Sequence, residues 1–319
     1  MDVVTIGSLT LDAFAYTERS KLLSISKDRD LLAYQLGTKI ALDSLSFELG
    51  GGATNSGAVF RALGHTVAVS GKVGSDFVGD EILKRVYEYG MDFVGERIYG
   101  RSAFSIVLDA VNHERTILAH KAASENPLCA QIPQARLYYV SSPGQSAIDL
   151  YAERLAVLRS RGTVLFNGSS YLMRAGLARL SDLMRGVDVF ICNDEEFELL
   201  TGSDLEEGLR MVHALGVHII VVTRGPRGAL VSDGEIIHDA PSRPTKLAET
   251  TGAGDAFGAT FASGLIQGRD IEEVLDRSLI QSASVISFLG PKNGVLRSSE
   301  LDSVRSYLPA LRIERRSLS

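Results

Sequence analysis

The feature that most constrains this chain begins at residue 137, where short unbroken apolar runs alternate with helix-length amphipathic segments. The runs at 137–140, 163–166, 187–192 and 218–223 read as strands, and about 12 to 15 residues of helical periodicity separate them. Strands apolar on both faces must be covered on both. The alternation therefore predicts an α/β body, a doubly wound, mainly parallel sheet with helices on both faces. Ligands of such sheets bind beyond the carboxyl ends of the strands, so chemistry is expected in glycine-rich turns that follow strands.

The N-terminal part continues the pattern. An apolar run at 3–6 ends at Gly7, and a strand at 45–49 runs into Gly50-Gly51-Gly52. A helix over 54–63 and a strand over 66–70 follow, then a helix capped by Ser75 or Asp76 and running to Tyr89. Between 93 and 119 the period falls to two, and the runs 103–108 and 115–118 flank a turn-rich connection, which predicts a hairpin. With a strand near 12–17 this predicts a small β-sheet lid, built from about 12–20 and 93–119 and inserted in a single domain spanning 1–319. The polar, leucine-rich stretch 18–43 has no clean period and reads as a loop with one short helix. From Ala253 onward the chain reads as mainly helical.

Charge removes some functions. Thirty-nine acidic against 33 basic residues leave a net charge of −6, without the basic stripe that a nucleic-acid partner requires. The two cysteines, Cys129 and Cys192, lie far apart among apolar residues and read as reduced buried thiols rather than a zinc site or a disulfide. The chain enters a strand at once, and no apolar run reaches the roughly 18 residues of a membrane helix. The expectation is a cytoplasmic protein with no membrane partner.

The sharpest motif is Thr-Thr-Gly-Ala-Gly-Asp at 250–255, ahead of a helix-length run from Ala256 to Ile266. Gly252 and Gly254 allow a tight turn, so the bare amides of Ala253, Gly254 and Asp255 would converge as an anion hole at a helix N-terminus. Asp255, at its mouth, is placed to accept the proton of an attacking hydroxyl and aim its oxygen at a phosphoryl group. The bland alternative is an acidic helix start behind an ordinary turn. No Lys-Ser/Thr follows the glycines, so this is not a P-loop. The second motif, Gly51-Gly52-Ala53-Thr54-Asn55, follows a strand and opens a helix. A dinucleotide fingerprint fails there because Asn55 stands where its third glycine belongs; glycines with an Asn suit a polyhydroxylated ligand instead.

Together these motifs resemble the ribokinase-like (PfkB) carbohydrate kinases, over roughly residues 3 to 295. Gly71 to Gly79 (Gly-Lys-Val-Gly-Ser-Asp-Phe-Val-Gly) and the hairpin Glu114-Arg115-Thr116-Ile117 match in the same order. The resemblance implies an ATP-dependent kinase acting on a hydroxyl of a small sugar or sugar derivative. Asp255 would be the general base, Gly252, Ala253 and Gly254 the anion hole, and Asp12, Gly51, Gly52 and Asn55 the acceptor site. Thr223, Gly225 and Gly228 would border the nucleotide phosphates, with Asn293 on the nucleotide side. Asn193 and Glu196 match the family's Asn-x-x-Glu and would act on Mg2+ through water. A monovalent cation such as K+ is implied near residue 249, although Glu249 stands where the family commonly has Asp. Asn167 replaces a frequent Asp, and Ala122-Ala123-Ser124 a frequent Gly-Ala-Asn. Pairing of two lids into a homodimer is a further expectation. The alternatives are a nucleoside kinase of the same family, with Phe14, Tyr16 or Phe104 as a clamp, and a silent ligand sensor. A phosphorylated sugar would need extra cations, for which Lys39, Lys72, Arg101 and Lys121 are available.

Overall fold

In the computed structural model, which describes residues 1–18, 21–26, 29–109, 115–141, 147–288 and 290–318, neighbouring residues of one central strand enter opposite cores. Along Leu137–Ser141, Tyr138 and Val140 face one core, and Leu137 and Tyr139 the other. This is the pleat of a sheet buried on both faces, as the unbroken apolar runs require.

Among the described residues ten strands form that sheet. Their order is Glu314–Ser317, Ile236–Ala240, Ala229–Ser232, Ile219–Thr223, Val189–Asn193, Thr163–Asn167, Leu137–Ser141, Val3–Ile6, Val67–Ser70 and Asp92–Phe93. The seven from Ile219–Thr223 onward are parallel, and the three edge strands before them are antiparallel. The chain leaves Val3–Ile6 for Val67–Ser70 on one side and later returns to Leu137–Ser141 on the other. The strand order thus reverses beside Val3–Ile6, and a crevice opens at such a reversal, beyond the carboxyl ends.

Two helices bring the motifs to that crevice. Gly52–Ala62 buries Phe60 completely, edge-on to Tyr139 at 5.7 Å between ring centroids. Burial of one such ring stabilises the fold by about 1.5–3 kcal/mol. Ala253–Ile266 is rich in Ala, Gly and Phe with buried positions all round, as suits a helix inserted into a core. It packs so closely that a Cβ on Gly258 would stand 2.5 Å from the Tyr139 hydroxyl.

The lid departs from expectation in its membership. Its four-stranded sheet runs Arg115–His120, Ala103–Asp109, Thr10–Tyr16, Ser44–Gly50. The hairpin is present, but Asp92–Phe93 belongs to the body sheet and Glu96–Ile98 pairs with Lys72–Gly74. Ser44–Gly50 joins the lid because it pairs with Thr10–Tyr16, Asp12 opposite Glu48. No short-range period reveals such a partner. The 18–43 stretch holds two antiparallel strands, Lys21–Ser26 and Arg29–Ala33, where a loop with a short helix was expected. The helical tail ends in the edge strand Glu314–Ser317. Residues 110–114 of the hairpin connection lie outside the described residues. Cys129 and Cys192 are buried free thiols, and among the described residues no helix is long and apolar enough to cross a membrane.

Candidate active site

The crevice unites the two glycine motifs. Asn55, one turn into its helix, donates from Nδ2 to Oδ2 of Asp255 at 2.9 Å across 200 residues of sequence. Asp255 occupies the first turn of Ala253–Ile266, at the floor of the crevice. Burial drives its carboxyl up to about 6, against the Asn55 hydrogen bond and the Lys292 ammonium, which favour the charged form. A carboxylate poised near neutrality suits proton transfer. Its Oδ1 faces Gly52, where a Cβ would stand 3.6 Å away and also 2.5 Å from Oγ of Ser141. Glycine there keeps the approach to Asp255 open.

Gly252 precedes the helix with φ +81°, and no side chain caps the first turn. The Ala253 amide bonds to the Thr250 carbonyl at 3.2 Å, which leaves the next two amides, of Gly254 and Asp255, to face the crevice. Nothing lies within 4 Å of the Cβ that Gly254 lacks. Partial positive charge at an open helix start is what a transferred phosphoryl group needs.

The lid supplies Asp12. Its strand alternates, and Thr10, Asp12 and Phe14 share the face that carries Glu48 and Ser105. Burial raises the Asp12 carboxyl, opposed by hydrogen bonds from Ser105 and Thr10, the latter at 3.0 Å, and by Lys292. Gly51 joins the end of the neighbouring strand Ser44–Gly50 to the Asn55 helix, where the Asn55 amide bonds to its carbonyl at 2.9 Å.

Lys292 was not foreseen. Its ammonium donates to Oδ1 of Asn55 and to the Leu49 carbonyl and lies 5.9 Å from the centre of the Tyr89 ring. Burial pulls it down to about 8, against the attraction of Asp12, Asp255 and Glu48. In sequence it is one lysine in the turn Gly-Pro-Lys-Asn-Gly, and only docking marks it. Of the cations considered, Lys72 lies 3.7 Å from Glu96 and Lys121 sits 5.0 Å over the Tyr171 ring.

The second group of residues gathers at the carboxyl ends of the neighbouring strands. Asn193 and Thr223 are register partners. Asn193 Oδ1 accepts from the Glu196 amide at 2.8 Å, and the Glu196 carboxylate accepts from the Asn193 amide at 3.0 Å and from Ser170 at 3.1 Å, forming a capping box. These are hard oxygens of the type Mg2+ takes, and with their protein bonds in place contact through water is the fitting mode. Among the described residues no cluster of three or more His, Cys, Asp or Glu is placed to hold a metal directly. Gly225 and Gly228 shape the turn after Thr223 with φ +53° and +90°. Arg224 is engaged by Asp239 and Arg227 by Asp194. Asn293 is exposed in the loop after Gly290. Glu249 accepts from the Gly290 amide, so K+ would have to share it. Asn167 donates to the buried Tyr139 hydroxyl at 2.9 Å.

Comparison with known proteins finds relatives along nearly the whole chain. The model of the pfkB family carbohydrate kinases matches residues 2–294. An uncharacterized sugar kinase of Archaeoglobus fulgidus is 28% identical over 244 residues, 74% of this chain and 97% of that protein. A cytidine kinase of Thermococcus kodakarensis is 26% identical over 270 residues, 79% and 95%. The structure of Arabidopsis thaliana ribokinase complexed with ribose and ATP superposes with a TM-score of 0.79 at 18% identity, covering 96% of this chain and 99% of that one.

Proposed function

The chain belongs to the pfkB family of carbohydrate kinases, and from that premise we propose that it transfers the γ-phosphate of ATP to a hydroxyl of an uncharged sugar or sugar derivative, with Asp255 as general base. The Asn55–Asp255 hydrogen bond carries this reading, because it joins a site for hydroxyl groups to a candidate anion hole. The acceptor hydroxyl lies between Asp12 and Asp255, bordered by Gly51, Gly52 and Asn55. Asp255 takes its proton as the oxygen attacks. The two open amides at the helix start, of Gly254 and Asp255, hold the charge that develops behind the turn of Gly252 and Ala253, each worth about 3 kcal/mol by analogy with oxyanion holes.

The nucleotide lies along the edge that Thr223, Gly225, Gly228 and Asn293 define. Mg2+, held through water by Asn193 and Glu196, would offset phosphate charge there. Three acidic groups, Asp12, Glu48 and Asp255, surround Lys292 and disfavour a phosphorylated acceptor. A nucleoside is the second reading, supported by the cytidine kinase likeness and by Phe14 on the lid face toward the crevice. On the opposite lid face Phe47, Ile106 and Leu118 are exposed on one register row, with the buried Ala13 between Phe47 and Ile106, the basis for proposing a lid-to-lid homodimer.

The test is ADP release with Mg-ATP across free sugars, sugar phosphates and nucleosides. Turnover with an uncharged sugar supports the proposal, and turnover confined to nucleosides replaces it with the second reading. ATP binding without turnover on any acceptor points to a sensor.

A further inference from the structure

Lys292 has only protons to donate, and it donates to Oδ1 of Asn55. That leaves Nδ2 as the face Asn55 turns to Asp255. A flipped amide would set Nδ2 against an ammonium and Oδ1 against a carboxylate, repulsive at both ends. The cation therefore settles an orientation that an Asn side chain alone leaves open. With Oδ2 of Asp255 engaged by Asn55, Oδ1 is the oxygen left facing Gly52 and the open crevice. The second bond of Lys292, to the Leu49 carbonyl, ties the same turn to the root of the lid strand Ser44–Gly50.

We infer that Lys292 is a positioning residue for the phosphoryl transfer: acting through Asn55, it fixes which oxygen of Asp255 receives the acceptor's proton. The inference rests on the kinase reading for its functional meaning. The Lys292–Asn55–Asp255 chain itself does not depend on it. Among the described residues the groups that face Asp255 are Asn55, Lys292 and Tyr139, and those that face Lys292 are Asp12, Asn55, Glu48, Asp255 and Tyr89.

The experiment compares Lys292→Met, Lys292→Arg and the parent full-length protein. Two readouts are taken: the pH dependence of kcat/KM, and the 13C titration of the Asp255 carboxyl carbon in protein without substrates. The Met variant is expected to lose about 10–10² in kcat with the KM for ATP unchanged. Its acid limb and its carboxyl titration both move up by about one pH unit, because the nearby positive charge is gone. The Arg variant keeps the charge and holds both near the parent values. A folded Met variant with limb and carboxyl titration unmoved overturns the inference while leaving the kinase reading intact. A parent protein without turnover on any acceptor overturns the kinase reading, and the carboxyl titration then decides the role of Lys292 alone. Should the Met variant not fold, Lys292→Gln takes its place with the same readouts.

Discussion

Gly252 and Pro291 leave no room for a side chain between them: a Cβ on Gly252 would stand 2.7 Å from the Cβ of Pro291. Gly252 also holds φ +81°, a conformation that costs other residues about 1–3 kcal/mol. Gly252→Ala is therefore expected to lower the thermal midpoint and, by shifting the start of the helix behind it, to abolish turnover. Thermal denaturation and ADP release read the two effects separately; an alanine variant with full turnover would remove this turn from the anion hole.

Asp255→Asn tests activity and stability in opposite directions. Loss of the proposed base is expected to reduce kcat by about 10²–10⁴. The parent acid limb should fall near pH 6, since the base works only when ionised and its carboxyl is pushed up to about 6. A carboxyl raised on folding binds its proton more tightly in the native state. Its contribution is favourable below the ordinary value of 3.8 and is lost as pH rises through about 6. Ionised Asp255 thus weakens the fold at pH 8, and the Asn variant should melt higher there. Equal melting temperatures at pH 8 would contradict the burial argument.

Asp12→Ala removes a carboxylate on the proposed acceptor side without touching the proposed nucleotide edge. A hydrogen bond to a charged group contributes about 1.5–3 kcal/mol, so kcat/KM for the acceptor should fall roughly 10- to 100-fold while the KM for ATP holds. Steady-state kinetics with each substrate varied in turn check this, and a matching rise in the KM for ATP would place Asp12 elsewhere.

Arg243 and Asp276, which take no part in the proposed site, form an ion pair with side chains only 6% and 8% exposed, and Arg305 adds a bond to the same carboxylate at 3.0 Å. Asp276→Ala leaves a buried guanidinium unpaired and should cost about 3–5 kcal/mol. Urea denaturation measures the loss. The folded fraction is expected to retain its kcat.

Ala122 adopts φ +39°, a backbone setting that glycine accepts freely. It stands in the Ala-Ala-Ser that replaces Gly-Ala-Asn, and two residues on the Ser124 hydroxyl donates to the Leu9 carbonyl at 3.0 Å. Ala122→Gly should relieve the strain and stabilise the protein by about 1 kcal/mol, in contrast to the usual cost of adding a glycine. A lower melting temperature would show that neighbouring contacts already absorb it.

Wherever one segment carries its own period or its own motif, the sequence was readable. The apolar runs after residue 137 announce a sheet covered on both faces, and Gly252 to Asp255 announce a helix start with open amides. Pairings between distant segments were not visible. The segment 45–49 reads as a strand, but the partner of Ser44–Gly50 is Thr10–Tyr16 in the lid, and nothing local says so. Lys21–Ser26 and Arg29–Ala33 share leucines that align only once the strands lie side by side. Lys292 shows the same limit in the site itself. A lysine in a Gly-Pro turn is ordinarily solvated, and only its bonds to Leu49 and Asn55, more than 230 residues earlier, bring it into the crevice.

The hydrogen bond between Asn55 and Asp255 also bears on when a growing chain becomes reactive. Each half of the arrangement is made early or late in synthesis, and neither half alone has both an oriented base and a place for an acceptor. With Asp12 and Lys292 included, the site draws on positions 280 residues apart (292 − 12). Closing so long a loop belongs to the slow, non-local phase of folding. Under the proposed function, a polypeptide still emerging therefore carries no assembled centre and is expected to spend no nucleotide before its fold is finished.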